Sequence, residues 1–210
     1  MKKNCTEVVF ILDRSGSMCG LEKDTIGGFN SLINKQKKQD GEVLVSTVLF
    51  NDSSVVIHDR KPIEKVRLMT NKDYEVYGCT ALLDALGSSI RHIGNIYKYA
   101  RIEDVPEHTM FVIITDGMEN ASRYYSKERV KLMIEYEKEK YGWEFLFLAA
   151  NMDAIDTASQ YGIDKDHAVN YQCDSVGTRL NYEVLDEAIQ CICSGVPLSK
   201  SWKSKIEKRK

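Results

Sequence analysis

The sequence predicts a doubly wound α/β domain, in which a mostly parallel sheet carries one antiparallel edge strand and has helices on both faces. Three short, continuously apolar runs at residues 8–12, 111–114 and 145–148 indicate strands that are covered on both faces. Amphipathic helical patterns separate these runs, and this alternation is typical of a parallel sheet. The 210 residues are 43% hydrophobic and 29% charged, which is typical of a globular domain.

The elements follow one another in a regular order. The first strand, at residues 8–12, is followed by a helical pattern over about residues 21–38 with one apolar stripe. Residues 43–50 and 55–57 indicate two strands joined by a short polar turn, and such a hairpin usually places an antiparallel strand at the sheet edge. Further helices are predicted at about residues 81–99, 127–141 and 182–193.

The end of the chain differs from the rest in composition. Residues 199–210 hold six basic residues and one acid, so residues 1–198 carry a net charge of −7 although the whole chain carries −2. We therefore expect a domain over residues 1–198 and a basic, solvated tail over residues 199–210. An acidic body of this kind is not expected to bind nucleic acid.

The sequence also suggests where the protein works. The longest unbroken apolar runs have six and five residues, whereas a membrane-spanning helix needs about 18. The apolar stretch after Lys2 and Lys3 is shorter than the core of a signal peptide, so we expect no membrane association and a cytoplasmic location. The six cysteines contain no C-x-x-C pair, and free thiols are expected.

Aspartates follow two of the three predicted buried strands. Asp13 comes directly after the first, and Asp116 follows the run at residues 111–114 after one threonine. Because parallel strands end at the same edge of a sheet, both carboxylates should lie close together, where their repulsion favours a cation. Ser15 and Ser17 can direct further oxygens at the same point from a tight loop. Such oxygen donors favour Mg²⁺, with Mn²⁺ or Ca²⁺ as substitutes.

Each of these segments also has an ordinary structural interpretation. Serine, threonine and aspartate are common N-cap residues before a helix, and Thr80 could cap the helix at about residues 81–99. An Asp-Gly pair after a strand is a common turn. An EF-hand is excluded, because Met18 occupies the position of its invariant glycine and no glutamate closes the loop.

Three separated segments together resemble the von Willebrand factor A domain, which is called the I domain in integrins. Residues 13–17 (DRSGS) resemble the family's D-x-S-x-S after the first strand, and residues 115–117 (TDG) resemble its T-D-G after a central strand. Residues 78–86 (GCTALLDAL) are similar to its threonine loop, although paired glycines are common before that threonine. The resemblance covers roughly residues 5–195.

This resemblance implies a Rossmann-like von Willebrand factor A (VWA) fold with a metal-ion-dependent adhesion site (MIDAS). Ser15, Ser17 and Thr80 would give hydroxyl oxygens directly to Mg²⁺, while Asp13 and Asp116 would act largely through bound waters. The implied partner is a protein that completes the coordination of the metal with an acidic residue. Intracellular members of the family also suggest a larger assembly, which can include an ATPase.

Two other functions stay open on the sequence alone. A Mg²⁺-dependent hydrolase or phosphotransferase could use the same aspartates, but the sequence has neither a G-x-x-x-x-G-K-[ST] phosphate loop nor a G-x-S-x-G nucleophile motif. Ser15 also occupies the position at which a phosphoaspartate enzyme usually has a second carboxylate. The third interpretation is a scaffold domain whose site has no role. We favour a non-enzymatic, Mg²⁺-dependent protein-binding module without catalytic residues.

Further side chains are expected near the proposed metal site. Cys19 and Cys79 flank it in the sequence, where thiol modulation of the site is one interpretation and small, buried packing residues are the expected one. An interface around the metal would also need a partly apolar rim. The side chains that could form this rim are Met18, Tyr77, Met118, Tyr124 and Tyr125.

Overall fold

The computed structural model describes residues 1–209, which form a six-stranded sheet with helices on both faces. The strands are β1 (Lys2–Asp13), β2 (Glu42–Phe50), β3 (Ser54–Pro62), β4 (Pro106–Thr115), β5 (Glu144–Ala149) and β6 (Ala168–Asn170). The helices are α1 (Glu22–Gln36), α2 (Leu82–Tyr99), α3 (Lys127–Tyr141), α4 (Ala154–Gln160), α5 (Ser175–Cys193) and α6 (Ser204–Glu207).

The strand order places the ends of β1 and β4 at the centre of the sheet. The order is β3-β2-β1-β4-β5-β6, and every neighbouring pair is parallel except β2 and β3, which form an antiparallel hairpin. The chain builds one half of the sheet from β1 to β3 and then crosses to β4, so the topological switch point lies between β1 and β4. Open α/β sheets bind ligands at the carboxyl ends of such strands. The predicted fold class is confirmed.

Two hydrophobic clusters lie on opposite faces of the sheet. Along β1, Val8, Phe10 and Leu12 pack in the cluster that contains buried residues of α1 and α5. Val9 and Ile11 pack in the other cluster, with residues of α2 and α3. Because successive side chains of a strand point to opposite faces, a strand that is covered on both sides requires an uninterrupted apolar run.

The helices agree with the sequence wherever the pattern is long. The helices predicted near residues 21–38, 81–99 and 127–141 are α1, α2 and α3, whose ends lie within two residues of the predicted ones. The last predicted helix begins at Ser175 rather than near residue 182, because the Asp174 carboxylate caps it by accepting the N–H of Gly177 at 2.7 Å. No helix among residues 1–209 is long and apolar enough to cross a membrane.

The end of the chain packs against the domain. The expectation of a solvated tail is therefore wrong for residues 199–209, and residue 210 lies outside the described residues. Trp202 is buried, and its Nε1 donates to the carbonyl oxygen of Asp166 at 2.9 Å. Lys203 is also buried, and its ammonium donates to two backbone carbonyl oxygens at 2.8 and 3.0 Å. The segment is therefore basic in composition, yet the indole of Trp202 and the aliphatic stem of Lys203 pack on the domain.

Candidate metal centre

The Asp13 carboxylate organises the loop that follows β1. Its Oδ1 accepts the N–H of Ser15 at 2.7 Å, and its Oδ2 accepts the hydroxyl of Thr115 at 2.6 Å. The first bond turns the chain back on itself as an Asx-turn, and the Tyr74 hydroxyl donates to the Asp13 carbonyl oxygen. The loop is therefore held by several contacts, and the side chains of Asp13 and Ser15 are buried in it.

Ser17 connects this loop to Asp116 at the end of β4. Its hydroxyl donates to Asp116 Oδ1 at 2.5 Å, and its oxygen lies 3.1 Å from the hydroxyl oxygen of Ser15. These residues are distant in sequence but meet because β1 and β4 are hydrogen-bonded neighbours whose carboxyl ends lie together. The predicted proximity of Asp13, Ser15, Ser17 and Asp116 is therefore present in the structure.

Gly117 marks the point on which the hydroxyl oxygens converge. A Cβ atom at this glycine would lie 2.8 Å from Thr80 Oγ1, 3.2 Å from Ser17 Oγ and 3.6 Å from Ser15 Oγ. Three oxygens from two separate loops thus surround one position that an ordinary side chain would fill. The glycine keeps this position free of protein atoms.

The backbone of Thr80 is fixed by contacts that do not use its hydroxyl. Asn120 Oδ1 accepts the N–H of Thr80 at 2.9 Å. The N–H groups of Asn120 and Ala121 donate to the Thr80 carbonyl oxygen at 3.0 and 3.3 Å. Asn120 therefore binds both the N–H and the carbonyl oxygen of Thr80. The Thr80 side chain forms no hydrogen bond within residues 1–209. Sequence reasoning missed Asn120, because an amide that binds backbone has no characteristic spacing.

The start of α2 shows why the Thr80 hydroxyl is free. The N-cap interpretation of Thr80 is wrong, since the N-cap residue is Ala81 and no side chain on the same segment caps the helix. Glu119 accepts the N–H of Leu83 at 2.8 Å instead, and Ser122 Oγ accepts the N–H of Asp84 at 3.0 Å. The loop that follows Asp116 therefore caps α2, which leaves Thr80 available for another ligand.

Neither carboxylate of the cluster has a basic partner. No nitrogen of a lysine, arginine or histidine side chain in residues 1–209 lies within 4.0 Å of the carboxylate of Asp13 or Asp116. Burial raises the pKa of Asp13, and the negative charge of Asp116 adds to the rise, while hydrogen bonds from Thr115 and Ser15 oppose it. Two anions in this position are stabilised by a cation.

The chemistry of the cluster fits a hard divalent cation. Among the described residues, no group of three or more histidine, cysteine, aspartate or glutamate side chains is arranged to hold a metal ion. A zinc site of the usual histidine and cysteine type is therefore not present in that part of the chain. Two carboxylates and three hydroxyls are oxygen donors, which suit Mg²⁺, Mn²⁺ or Ca²⁺. The side chains that surround Gly117 thus fit the metal that the resemblance implies.

Comparisons with known proteins identify the fold. No protein-family model matches the chain, and no curated protein sequence matches it. Among solved structures, the vWF domain of the type V pili tip protein Mfa5 from Porphyromonas gingivalis has a TM-score of 0.62 at 10% identity, covering 92% of this chain and 97% of that one. The von Willebrand factor type A structure from Catenulispora acidiphila has a TM-score of 0.56 at 13% identity, covering 88% and 42%. This chain has a VWA-like fold.

A third structure with the VWA-like fold contains a metal. Proximal thread matrix protein 1 from the mussel byssus, with a zinc-occupied MIDAS motif, has a TM-score of 0.60 at 14% identity, covering 90% of this chain and 47% of that one. This chain spans less than half of the mussel and Catenulispora chains, which are longer proteins. At these identities the similarity shows the fold alone.

A thiol that the sequence did not indicate lies beside the cluster of this VWA-like fold. Cys173 Sγ donates to Asp116 Oδ2 at 3.3 Å, and Asn151 Nδ2 donates to the Asp116 carbonyl oxygen at 3.3 Å. Burial raises the pKa of Cys173 to about 11, and the hydrogen bond to Asp116 adds to the rise. Cys19 and Cys79 are exposed, so the expectation that they are buried is wrong. Both cysteines lie on surface loops, and the usual burial of cysteine does not apply to such positions.

The five side chains proposed as an apolar rim have different environments. Tyr77, Met118 and Tyr124 are exposed on the loops of the cluster. Tyr125 is half-buried under the guanidinium of an arginine in α3, and Met18 is buried in the core. A rim is therefore available from three of the five side chains.

Proposed function

We propose that this protein is a non-enzymatic, Mg²⁺-dependent protein-binding module. The observation that carries the proposal is the convergence of three hydroxyl oxygens within 3.6 Å of one free position, beside two buried carboxylates without a basic partner. The residues that would hold the metal are Asp13, Ser15, Ser17, Thr80 and Asp116.

The hydrogen bonds of the cluster suggest a role for each side chain. Ser17 donates its proton to Asp116, which leaves the lone pairs of its oxygen for a cation, and the Thr80 oxygen is similarly available. Asp13 has both carboxylate oxygens engaged by Ser15 and Thr115, so it orients the loop and supplies negative charge. The bound ion would supply residual Lewis acidity, which attracts an anionic oxygen of a partner.

The proposed partner is a protein that presents an acidic residue to the metal. Exposed Tyr77, Met118 and Tyr124 around the cluster support this, because aromatic side chains and methionine are enriched in protein interfaces. Two of the similar structures are named as a pilus tip protein and a byssus matrix protein, and such names indicate assembly with other proteins. The cytoplasmic location that the sequence suggests, and the assembly with an ATPase that the family resemblance implies, are part of this proposal.

Two of the four histidines have contacts that do not favour a catalytic alternative. His58 Nδ1 is 3.0 Å from the hydroxyl of Thr47, and its ring stacks on Phe29 in the core. His92 is exposed and pairs with Asp59 at 2.9 Å. General acid–base chemistry needs such a group within hydrogen-bond distance of the reacting atoms.

Affinity capture tests the proposal. The immobilised protein is expected to retain partners in Mg²⁺ and to release them in EDTA, and Ser17→Ala is expected to retain none of these partners. Ser31→Ala is the matched control, since Ser31 is an exposed serine on α1 and should behave as the wild type. Capture that persists in EDTA and in Ser17→Ala contradicts the proposal. Mg²⁺-dependent phosphatase or nucleotidase turnover that Asp13→Asn abolishes also contradicts it.

A further inference from the structure

Arg14 lies between two residues of the cluster and is buried without an acidic partner. It is 7% exposed, and its Nε is sealed from solvent without a hydrogen bond. No carboxylate in residues 1–209 lies within 4.0 Å of its guanidinium. The guanidinium carbon lies 5.4 Å from the centroid of the Tyr77 ring, and the N–H of Tyr77 donates to the Arg14 carbonyl oxygen at 3.1 Å. The side chain is therefore held in place by an aromatic ring rather than by an anion.

Arg14 is the one arginine among residues 1–209 that is buried. Arg60, Arg67 and Arg209 are each more exposed than Arg14, and each forms an ion pair at 3.0 Å or less. Asp52, on the loop after β2, accepts the N–H of Cys79 at 3.0 Å and does not pair with Arg14. Removing a guanidinium from water costs free energy that an acidic partner normally offsets. An unpaired buried guanidinium therefore indicates a counter-anion that comes from outside the chain.

The charges of the cluster point in the same direction. Asp13 and Asp116 together balance a divalent cation, so neither of them remains to balance the charge of Arg14. An unbalanced guanidinium beside the bound ion favours a ligand with more than one negative charge. The N–H of Gly16 donates to the Gly78 carbonyl oxygen at 3.0 Å, so the loop that carries Arg14 is joined to the loop that carries Thr80, and a second anion would bind close to the first.

We propose that the partner carries two acidic residues in one short segment, one directed to the metal and the other bound by Arg14. A guanidinium can hold a carboxylate through two parallel N–H···O bonds, which a lysine cannot reproduce. Tyr77 is 53% exposed and would cover the paired groups. This inference rests on the proposed function and specifies its ligand as an acidic pair rather than a single acidic residue.

Fluorescence polarisation with labelled Gly-Ser peptides tests the inference. The peptides hold either one glutamate or two glutamates separated by zero to four residues, and each is titrated in Mg²⁺ and in EDTA. The tightest peptide with two glutamates is expected to bind about tenfold better than the peptide with one, only in Mg²⁺. Arg14→Gln should weaken binding of the two-glutamate peptide more than binding of the single-glutamate peptide, and so remove this advantage. In Arg14→Lys, the two-glutamate peptide should keep only part of its advantage over the single-glutamate peptide.

The control is Arg91→Gln, which removes an exposed arginine from α2 and should keep the advantage of the acidic pair. Equal Mg²⁺-dependent affinities of the two kinds of peptide overturn the inference and leave the proposed function intact. The inference is likewise overturned, and the proposed function stays intact, if Arg14→Gln weakens the binding of both kinds of peptide equally. The absence of any Mg²⁺-dependent binding contradicts the proposed function and, with it, the inference. If the Arg14 variants do not fold, the wild-type comparison still tests whether the ligand is an acidic pair, and equal affinities there overturn the inference.

Discussion

Two buried carboxylates on β1 have opposite surroundings. Glu7 is 0% exposed, and both of its oxygens accept from the Arg60 guanidinium at 3.0 Å, while the Tyr97 hydroxyl donates to it at 2.9 Å. Asp13 is 1% exposed and accepts only from the neutral groups of Ser15 and Thr115. Burial raises the pKa of both carboxylates. The positive charge of Arg60 opposes the rise at Glu7, whereas no positive charge opposes it at Asp13.

The difference shows how a structural carboxylate can be distinguished from one that awaits a ligand. Burial is equal at the two positions and therefore does not separate them. A buried anion with a cation of its own chain belongs to the fold, and removing either member of the pair leaves an uncompensated charge. A buried anion beside a second anion, with only neutral donors, has no internal compensation. Asp13 is the second kind, and in the proposed function an external cation supplies the compensating charge.

Breaking the internal pair is expected to have the largest effect. Arg60→Ala leaves the Glu7 charge buried and unpaired, so it should lower the free energy of unfolding by about 3–5 kcal/mol in urea denaturation at pH 7. The double variant Glu7→Gln/Arg60→Ala should recover part of this loss, because it removes the orphaned charge. Arg91→Ala, on the exposed face of α2, should change stability by no more than about 0.5 kcal/mol. A loss no larger than that of Arg91→Ala would show that Glu7 does not depend on its partner.

Magnesium should stabilise the folded protein through Asp13, at the carboxyl end of β1. At a free concentration about 100 times its Kd, Mg²⁺ should raise the free energy of unfolding of the wild type by about 2.7 kcal/mol. Asp13→Asn removes charge from the cluster, so the variant should gain nothing from Mg²⁺. Without divalent cations its stability should stay within about 1 kcal/mol of the wild type, because the lost charge had no partner. Stabilisation of Asp13→Asn by Mg²⁺ equal to that of the wild type argues against the assignment.

Filling the free position should weaken metal binding without unfolding the protein. A Cβ at Gly117 would lie 2.8 Å from Thr80 Oγ1, closer than real Cβ contacts allow, so Gly117→Ala must displace the Thr80 hydroxyl. Calorimetric titration should show a loss of Mg²⁺ affinity of about tenfold, or about 1.4 kcal/mol. Gly27→Ala is the matched control, since a Cβ there meets no atom within 4 Å. An unchanged affinity in Gly117→Ala would mean that the hydroxyls do not surround the ion.

The smallest effect concerns an exposed ion pair that fastens the chain end to α5. The Arg209 guanidinium, followed by the N–H of Gly177, lowers the pKa of Asp174 to about 2 from 3.8. A lowered pKa means that the pair stabilises the fold above about pH 4 and that this contribution disappears as the pH falls toward 2. The Tm difference between the wild type and Asp174→Asn should therefore be positive at pH 6 and close to zero at pH 2. A constant difference across this range contradicts the assignment.

The sequence predicts the parts of this molecule in which one physical requirement acts over many residues. A strand that is covered on both faces must be apolar throughout, as at Val8–Leu12 within β1, and a long helix repeats its apolar stripe, as in α2. The short elements α4 and β6 contain too few residues to show either pattern, and neither was predicted. The prediction of a solvated chain end is wrong because it rests on the charge of residues 199–210, and the sequence does not show that Trp202 is buried.

The candidate site divides in the same way. Asp13 and Asp116 were found because they follow strands, and the geometry of parallel sheets brings such residues together. Asn120, Glu119 and Cys173 act through loop contacts that depend on the tertiary structure, and no spacing in the sequence indicates them. The isolation of Arg14 is likewise visible only in the structure, because it consists of the absence of an acidic partner within residues 1–209.

Anomalous diffraction from crystals soaked in Mn²⁺ tests the central claim most directly. The expected result is one anomalous peak bounded by the hydroxyl oxygens of Ser15, Ser17 and Thr80, which disappears in crystals of Ser17→Ala. Mn²⁺ is chosen because it accepts the same oxygen ligands as Mg²⁺. A peak at another group of acidic side chains, or no peak beside Gly117 at a saturating concentration, contradicts the account.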